Sequence, residues 1–80
     1  MKTAMRRRVF HEENFTCAKC GVVGFEKKFP KGGYGYYTND PAVFLSIDHI
    51  KPKSLGGGHE RENLRVLCTT CNTQKGVKNA

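Results

Sequence analysis

The residues best suited to chemistry lie close together in one stretch, residues 46–75. This stretch contains a carboxylate, an imidazole, two side-chain amides and two thiols: Asp48, His49, Asn63, Asn72, Cys68 and Cys71. Hydrolysis of a phosphodiester needs a base to activate water, a cation to take up charge on the phosphate, and a group that holds the base in place. Because the stretch offers a candidate for each task, we interpret it as a hydrolytic site beside a structural metal.

Each candidate role follows from the chemistry of the side chain. Asp48 and Asn72 offer hard oxygen donors of the kind that magnesium and manganese prefer. His49 directly follows the carboxylate of Asp48, and it is the candidate general base. Asn63 could hydrogen-bond the second ring nitrogen of His49 and so fix its tautomer. His59 could be a substrate contact or a supporting group, although a loop histidine with no functional neighbour more often has neither role.

The four cysteines form two pairs, each with two residues between its members: Cys17 and Cys20, then Cys68 and Cys71. A chain of 80 residues buries only roughly 60–65% of its unfolded surface, so it needs a disulfide or metal staple. No apolar run follows the basic N-terminus to form a signal peptide, so we expect a cytoplasmic protein, in which disulfides are disfavoured. Buried free thiols would not explain two such spacings, and a redox pair would need only one. We therefore predict one structural zinc ion, with a folded insertion in the 47 residues between the pairs.

The net charge of +7 favours a polyanionic partner. Nucleic acid ranks ahead of an acidic membrane, because no amphipathic apolar face accompanies the charge. A basic surface that only keeps the protein soluble is an equally good explanation of charge alone. Three consecutive arginines on a helix fan over roughly 200°, so they cannot all face one surface. The candidate nucleic-acid contacts are Arg6, Arg7, Arg8, Lys51, Lys53 and Lys75.

The elements that must position these residues can be predicted from local patterns. Helix-forming composition predicts a helix from Thr3 to about Asn14. Alternating apolar residues predict a strand over 42–50, and 65–67 is short and β-branched enough to be a second strand beside it. A helix then begins at Thr69 or Thr70 and ends near Gly76. The aromatic residues of 24–40 are better explained as a cap on a small core than as base-stacking groups.

The site requires a departure from regular strand geometry. Neighbouring residues on a strand point to opposite faces, yet Asp48 and His49 must converge, so we expect the strand to bend or end there. Around the start of the final helix, Cys68 and Cys71 lie three residues apart and can face one metal. Asn72 and Lys75, also three apart, share a neighbouring face about 100° round. One short helix can therefore serve both metals.

The combined pattern resembles the HNH endonucleases, also called His-Me finger or ββα-metal nucleases, from residue 17 to residue 76: Asp48-His49-Ile50-x-Pro52, a glycine-rich loop, Glu62-Asn63-Leu64 and Leu67-Cys68-x-x-Cys71-Asn72-x-x-Lys75-Gly76. The resemblance implies a small α+β, zinc-stapled ββα-metal domain, here with an N-terminal helix. It also implies that His49 is the general base, that Asp48 is a catalytic metal ligand and that Asn63 positions His49. The third motif position is often histidine and is Asn72 here, so the chain resembles an H-N-N variant that favours magnesium or manganese.

Taken with this resemblance, the residues predict a metal-dependent DNA endonuclease in a single domain, residues 1–80. His49 would activate water, and one divalent metal on Asp48 and Asn72 would stabilise the leaving 3′-oxygen. The expected partner is double-stranded DNA and not a membrane. One alternative is a zinc-bound nucleic-acid-binding module without catalysis, and another is a domain that uses zinc only to fold.

Overall fold

The computed structural model describes the backbone of residues 1–77 and the side chains of residues 1–74. Its elements are α1 (Thr3–Glu12), β1 (Phe25–Lys28), β2 (Tyr34–Tyr37), β3 (Leu45–His49), β4 (Leu64–Cys68) and α2 (Thr69–Val77). The strands form two antiparallel hairpins, β1–β2 and β3–β4. This architecture confirms the predicted small α+β domain with an N-terminal helix, and the β3–β4–α2 unit is consistent with a ββα-metal domain. Neither helix of the described backbone has the length and apolar character needed to cross a bilayer.

The N-terminal helix packs into the same core as the rest of the chain. Val9 and Phe10 are fully buried, and the ring of Phe10 stacks on that of Tyr36 with 3.6 Å between centroids. The helix ends at Glu12, two residues before the expected end near Asn14. It stops there because Asn14 and Phe15 have left-handed φ angles of 54° and 53°. The Phe15 N–H bonds the Phe10 carbonyl, and this reversal turns the chain toward the first cysteine pair.

A hairpin lies between the two cysteine pairs, which confirms the predicted folded insertion. Its turn contains Gly32 and Gly33, whose φ angles of 94° and 87° are readily adopted only by glycine. Tyr36 of β2 is buried beneath α1, as expected for an aromatic cap on the core, whereas Phe25 of β1 is 46% exposed.

The first strand of the β3–β4 hairpin is shorter than predicted. Residues 42–44 do not belong to β3, because Asp40 forms a turn in which its carboxylate accepts the Ala42 N–H and its carbonyl accepts the Val43 N–H. The second strand is confirmed and extends over Leu64–Cys68. In the register of the pair, Asp48 lies opposite Arg65 and His49 lies opposite Leu64. The strand ends at His49, one residue before its predicted end, and both Asp48 and His49 are regularly paired within it.

Arg61 fastens the end of α1 to the turn that precedes β4. Its guanidinium donates to Glu12 at 2.6 Å and to Glu13 at 2.7 Å, and its third contact is the Leu64 carbonyl at 2.9 Å. Arg61 also belongs to a short 3-10 turn with Asn63. The turn next to the expected catalytic residues is therefore attached directly to the N-terminal helix.

Candidate metal centre and active site

The four cysteine sulfurs converge at one point. All four ligand atoms lie within 4.8 Å of one another, and the Sγ atoms of Cys20 and Cys68 are 3.6 Å apart. A disulfide would require about 2.05 Å. Zinc–sulfur bonds of about 2.3 Å in a tetrahedron separate the sulfurs by roughly 3.8 Å. The cluster is therefore placed to hold one metal ion, and its soft ligand set and geometry suit zinc.

Local backbone geometry explains how the first pair turns toward the second. Gly21 follows the pair with a φ of 79°, the turn typical of a zinc knuckle, and its N–H bonds the Cys17 carbonyl. The neighbouring Ala18 N–H bonds the Val66 carbonyl, which ties the knuckle to β4. Cys68 ends that strand and Cys71 lies in the first turn of α2. One strand-to-helix junction thus supplies half of the ligands.

The electrostatics of the cluster favour a bound cation. Burial opposes ionisation of Cys17, but hydrogen bonds from backbone amides, led by that of Cys20, outweigh it and lower the pKa of this thiol to about 6. Burial and the adjoining thiols raise the pKa of Cys71 to about 12. The site therefore contains a ready thiolate and a thiol that resists ionisation beside it. A metal ion between the sulfurs would offset the repulsion between neighbouring thiolates and so allow the remaining thiols to ionise.

Asp48 and Asn72 share one side of the β3–β4 hairpin. Ser46 and Asp48 are two residues apart on β3 and so point to the same face. The Asn72 Nδ2 donates to Ser46 Oγ at 3.3 Å, which places the first turns of α2 over that face. Ser46 was not predicted as part of the site, although the alternation on its strand marks it as a neighbour of Asp48.

A second residue that the sequence did not indicate is Arg65. Its Nε donates to Asp48 Oδ2 at 2.9 Å, and Asp48 is only 7% exposed. The ion pair follows from the strand register, in which the two residues lie opposite each other. A nearly buried carboxylate therefore has a cation beside it before any metal is considered.

The imidazole of His49 meets a second imidazole at the end of β3. His49 Nε2 lies 2.9 Å from His59 Nδ1, and the two ring planes make an angle of 59°. His59 belongs to the loop between the two strands of the hairpin. The candidate substrate contact or supporting group is thus in direct contact with the candidate base.

Asn63 makes different bonds from those expected. Among the described side chains, its amide bonds the loop backbone rather than the ring of His49. Oδ1 accepts the Lys51 N–H at 2.8 Å, and Nδ2 donates to the carbonyls of Lys51 at 3.1 Å and Gly58 at 2.8 Å. Its own carbonyl accepts the Ile50 N–H at 2.9 Å. The predicted direct bond between Asn63 and the His49 ring was wrong, because the amide bonds the loop that returns over the end of the strand.

Comparison with known families bears on this arrangement. The family model described as HNH endonuclease matches residues 17–78, which is most of the chain. The chain belongs to the HNH endonuclease family. No curated protein and no solved structure matches it. The matched range includes all four cysteines and every predicted catalytic residue, and it leaves α1 outside.

The arginines of α1 in this HNH protein differ in their contacts. Arg7 donates twice to Glu26, and its guanidinium lies 4.2 Å from the centre of the Tyr34 ring. Arg8 pairs with Glu12 at 3.2 Å, and Arg6 is exposed. The ion pair of Arg7 joins α1 to β1, whereas that of Arg8 lies within α1. Both pairs reduce the charge that these two side chains offer to a polyanion. The spread of the three arginines around the helix explains why they meet different partners.

The lysines of the predicted set lie nearer, along the chain, to the residues predicted to be catalytic. Lys51 and Lys53 are exposed in the loop that begins after His49. Their backbone is held by the Asn63 amide and by a short 3-10 turn over Lys53–Leu55. Lys75 lies on α2, and its side chain is outside the described part. Two lysines of the set thus follow the end of β3.

Proposed function

We propose that this HNH protein is a metal-dependent endonuclease of double-stranded DNA, built as an H-N-N variant in a single domain over residues 1–80. The observation that carries the proposal is the shared face of Asp48 and Asn72, bridged by Ser46, next to a histidine that ends the same strand. The family match over these positions supports nuclease chemistry. The excess of positive charge supports a nucleic-acid substrate.

In the proposed reaction, His49 takes a proton from a water molecule, and the resulting hydroxide attacks the scissile phosphorus. The bond to the 3′-oxygen breaks, so the products carry a 5′-phosphate and a 3′-hydroxyl. A divalent cation held by Asp48 and Asn72 would supply positive charge to the leaving oxygen. Asp48 contributes a carboxylate and Asn72 an amide oxygen, and this hard donor pair suits magnesium or manganese.

The contacts of Asn72 support its role as a ligand. Its Nδ2 donates to Ser46 Oγ, and that hydroxyl in turn donates to the Leu67 carbonyl at 3.2 Å. This chain of bonds fixes which end of the amide faces the strand. The oxygen is consequently the atom that Asn72 offers to a cation.

The test is nicking of supercoiled plasmid by the zinc-loaded protein in magnesium, in manganese and in EDTA. We expect activity with either metal and none in EDTA. His49→Ala should reduce nicking by roughly 10²-fold or more, as expected for loss of a general base. The matched control is His11→Ala, which removes an exposed histidine of α1 that bonds Glu26 outside the site. Equal cutting in EDTA, or full activity of His49→Ala, would refute the proposal.

One observation favours the alternative of a zinc-bound module that binds nucleic acid without cutting it. The Arg65–Asp48 ion pair gives the carboxylate a cationic partner from within the protein. This alternative predicts DNA binding with a steep dependence on salt and no metal-dependent nicking. Replacing Arg65 with glutamine distinguishes the two, because only a nuclease would show a changed metal requirement for cutting.

A further inference from the structure

We propose that His59 is a positioning residue for His49, and that it does so by accepting the Nε2–H of that imidazole. The inference rests on the proposed function, in which His49 is the base. Its starting point is the distance of 2.9 Å between His49 Nε2 and His59 Nδ1. This contact takes the place of the bond that the sequence suggested for Asn63.

The loop is built so that the two histidines meet. The Asn63 amide holds Lys51, two residues after His49, and Gly58, which directly precedes His59. A single side chain therefore fixes both segments that carry an imidazole. Asn63 acts on His49 at a distance, and His59 makes the contact with the ring.

The chemistry of a general base determines which of the two histidines donates in the hydrogen bond between them. A hydrogen bond between two imidazoles contains one proton, which belongs either to His49 Nε2 or to His59 Nδ1. If His59 donates, neutral His49 uses its lone pair on Nε2 as an acceptor and carries its own proton on Nδ1. If His49 donates, its lone pair is on Nδ1, where it can accept a proton from water. Only the second arrangement leaves His49 competent as a base.

The same direction favours the product of proton transfer. Once Nδ1 has taken a proton from water, His49 is an imidazolium that still donates from Nε2. A charged donor makes a stronger hydrogen bond than a neutral one. His59 would therefore stabilise the state that forms as water is activated, without itself gaining or losing a proton.

The surroundings of His59 are consistent with an acceptor. Desolvation, then the positive charges of Lys53 and the N-terminal ammonium, hold the pKa of His59 below its ordinary value, with His49 adding to the effect and Glu60 opposing it. A protonated His59 would carry a proton on Nδ1 and could not accept. Met1, Lys2 and Met5 line a cavity together with His59.

The first test observes the proton directly, by long-range ¹H–¹⁵N correlation of the histidine rings in the zinc-loaded full chain without DNA. We expect a proton on His49 Nε2 and an unprotonated His59 Nδ1. A proton on His59 Nδ1 would overturn the assignment, as would rings that titrate and shift independently of each other. This measurement does not depend on nuclease activity, so it stands even if the protein cuts no DNA.

The second test is kinetic. His59→Leu removes the acceptor and should lower kcat for plasmid nicking by roughly threefold to tenfold with KM unchanged, the usual size of one hydrogen bond. His59→Asn places an amide oxygen near the position of Nδ1 and should restore most of the rate. Ser54→Ala, in an exposed position of the same loop, is the matched control. Wild-type rates for His59→Leu would overturn the positioning role while leaving the proposed function intact. Absence of cutting by the wild-type protein would instead refute the proposed function.

Discussion

Replacing Asn63 with alanine should loosen the loop after β3, and the structure sets the size of the effect. The substitution removes three hydrogen bonds, of 2.8, 2.8 and 3.1 Å, to the backbone of Lys51 and Gly58. Each bond contributes roughly 0.5–1.5 kcal/mol net. Both bonds to Lys51 are exposed to solvent, so the lower part of that range applies, and we expect the free energy of unfolding to fall by about 2 kcal/mol.

Two measurements check this expectation on zinc-loaded protein. Urea denaturation gives the free energy of unfolding, and hydrogen exchange reports the Lys51 amide, which donates to Asn63 Oδ1. Exchange of that amide should accelerate roughly tenfold for each ~1.4 kcal/mol of local stability that is removed. Asn63→Asp keeps the side-chain oxygen that accepts the Lys51 N–H and removes the two N–H donors to the loop carbonyls. It should therefore destabilise the loop while the Lys51 amide remains protected from exchange. The control is Glu62→Ala, an exposed neighbour on the same turn. Unchanged Lys51 exchange in Asn63→Ala would refute this account of the loop.

Three further predictions concern other parts of the molecule. Removal of zinc with a chelator, or Cys68→Ser, should unfold the domain cooperatively, because the metal contributes on the order of 10 kcal/mol, as circular dichroism and zinc content would show. Glu26→Gln should lower the free energy of unfolding at neutral pH, as measured by urea denaturation. The difference in this free energy from wild type should shrink as pH falls from about 4.5 toward 2. Arg7, followed by Tyr36 and His11, lowers the pKa of that carboxyl to about 2, so its stabilising effect is present above the unfolded pKa and disappears on protonation. Replacing Lys51 and Lys53 together with alanine should weaken DNA binding and reduce the slope of log affinity against log salt by roughly 0.9 for each DNA phosphate that the protein no longer neutralises.

The parts of the fold that the sequence predicted depend on local patterns. Two Cys-x-x-Cys spacings predicted the cluster, and alternating apolar residues predicted the strand that contains Leu45. A short β-branched run predicted its partner strand, which contains Val66. The turn after the first pair has a positive φ, which glycine adopts readily, and Gly21 occupies it. Each of these features is encoded within a few residues, so tertiary contacts refine it without replacing it.

The parts that failed depend on contacts between distant segments. The reversal after α1 was not predicted, because Phe15 adopts a left-handed φ that its type does not favour, and it packs beside His11 and Tyr36. Likewise, the partner of Asp48 depends on which residue of β4 lies opposite it. Composition showed that α1 is basic, but only the folded chain shows that the charge of Arg7 is used against Glu26. Ion pairs across elements have no local pattern from which they can be predicted.

The helix that lies outside the family match cannot be treated as a removable extension. Arg61 holds it through Glu12 and Glu13, and Phe10 covers the ring of Tyr36. Trimming the chain to residues 17–78 would expose that ring and leave a guanidinium without its carboxylates. A protein engineer who grafts this HNH unit onto another scaffold should therefore carry the first sixteen residues with it, or supply a substitute surface that is both apolar and acidic.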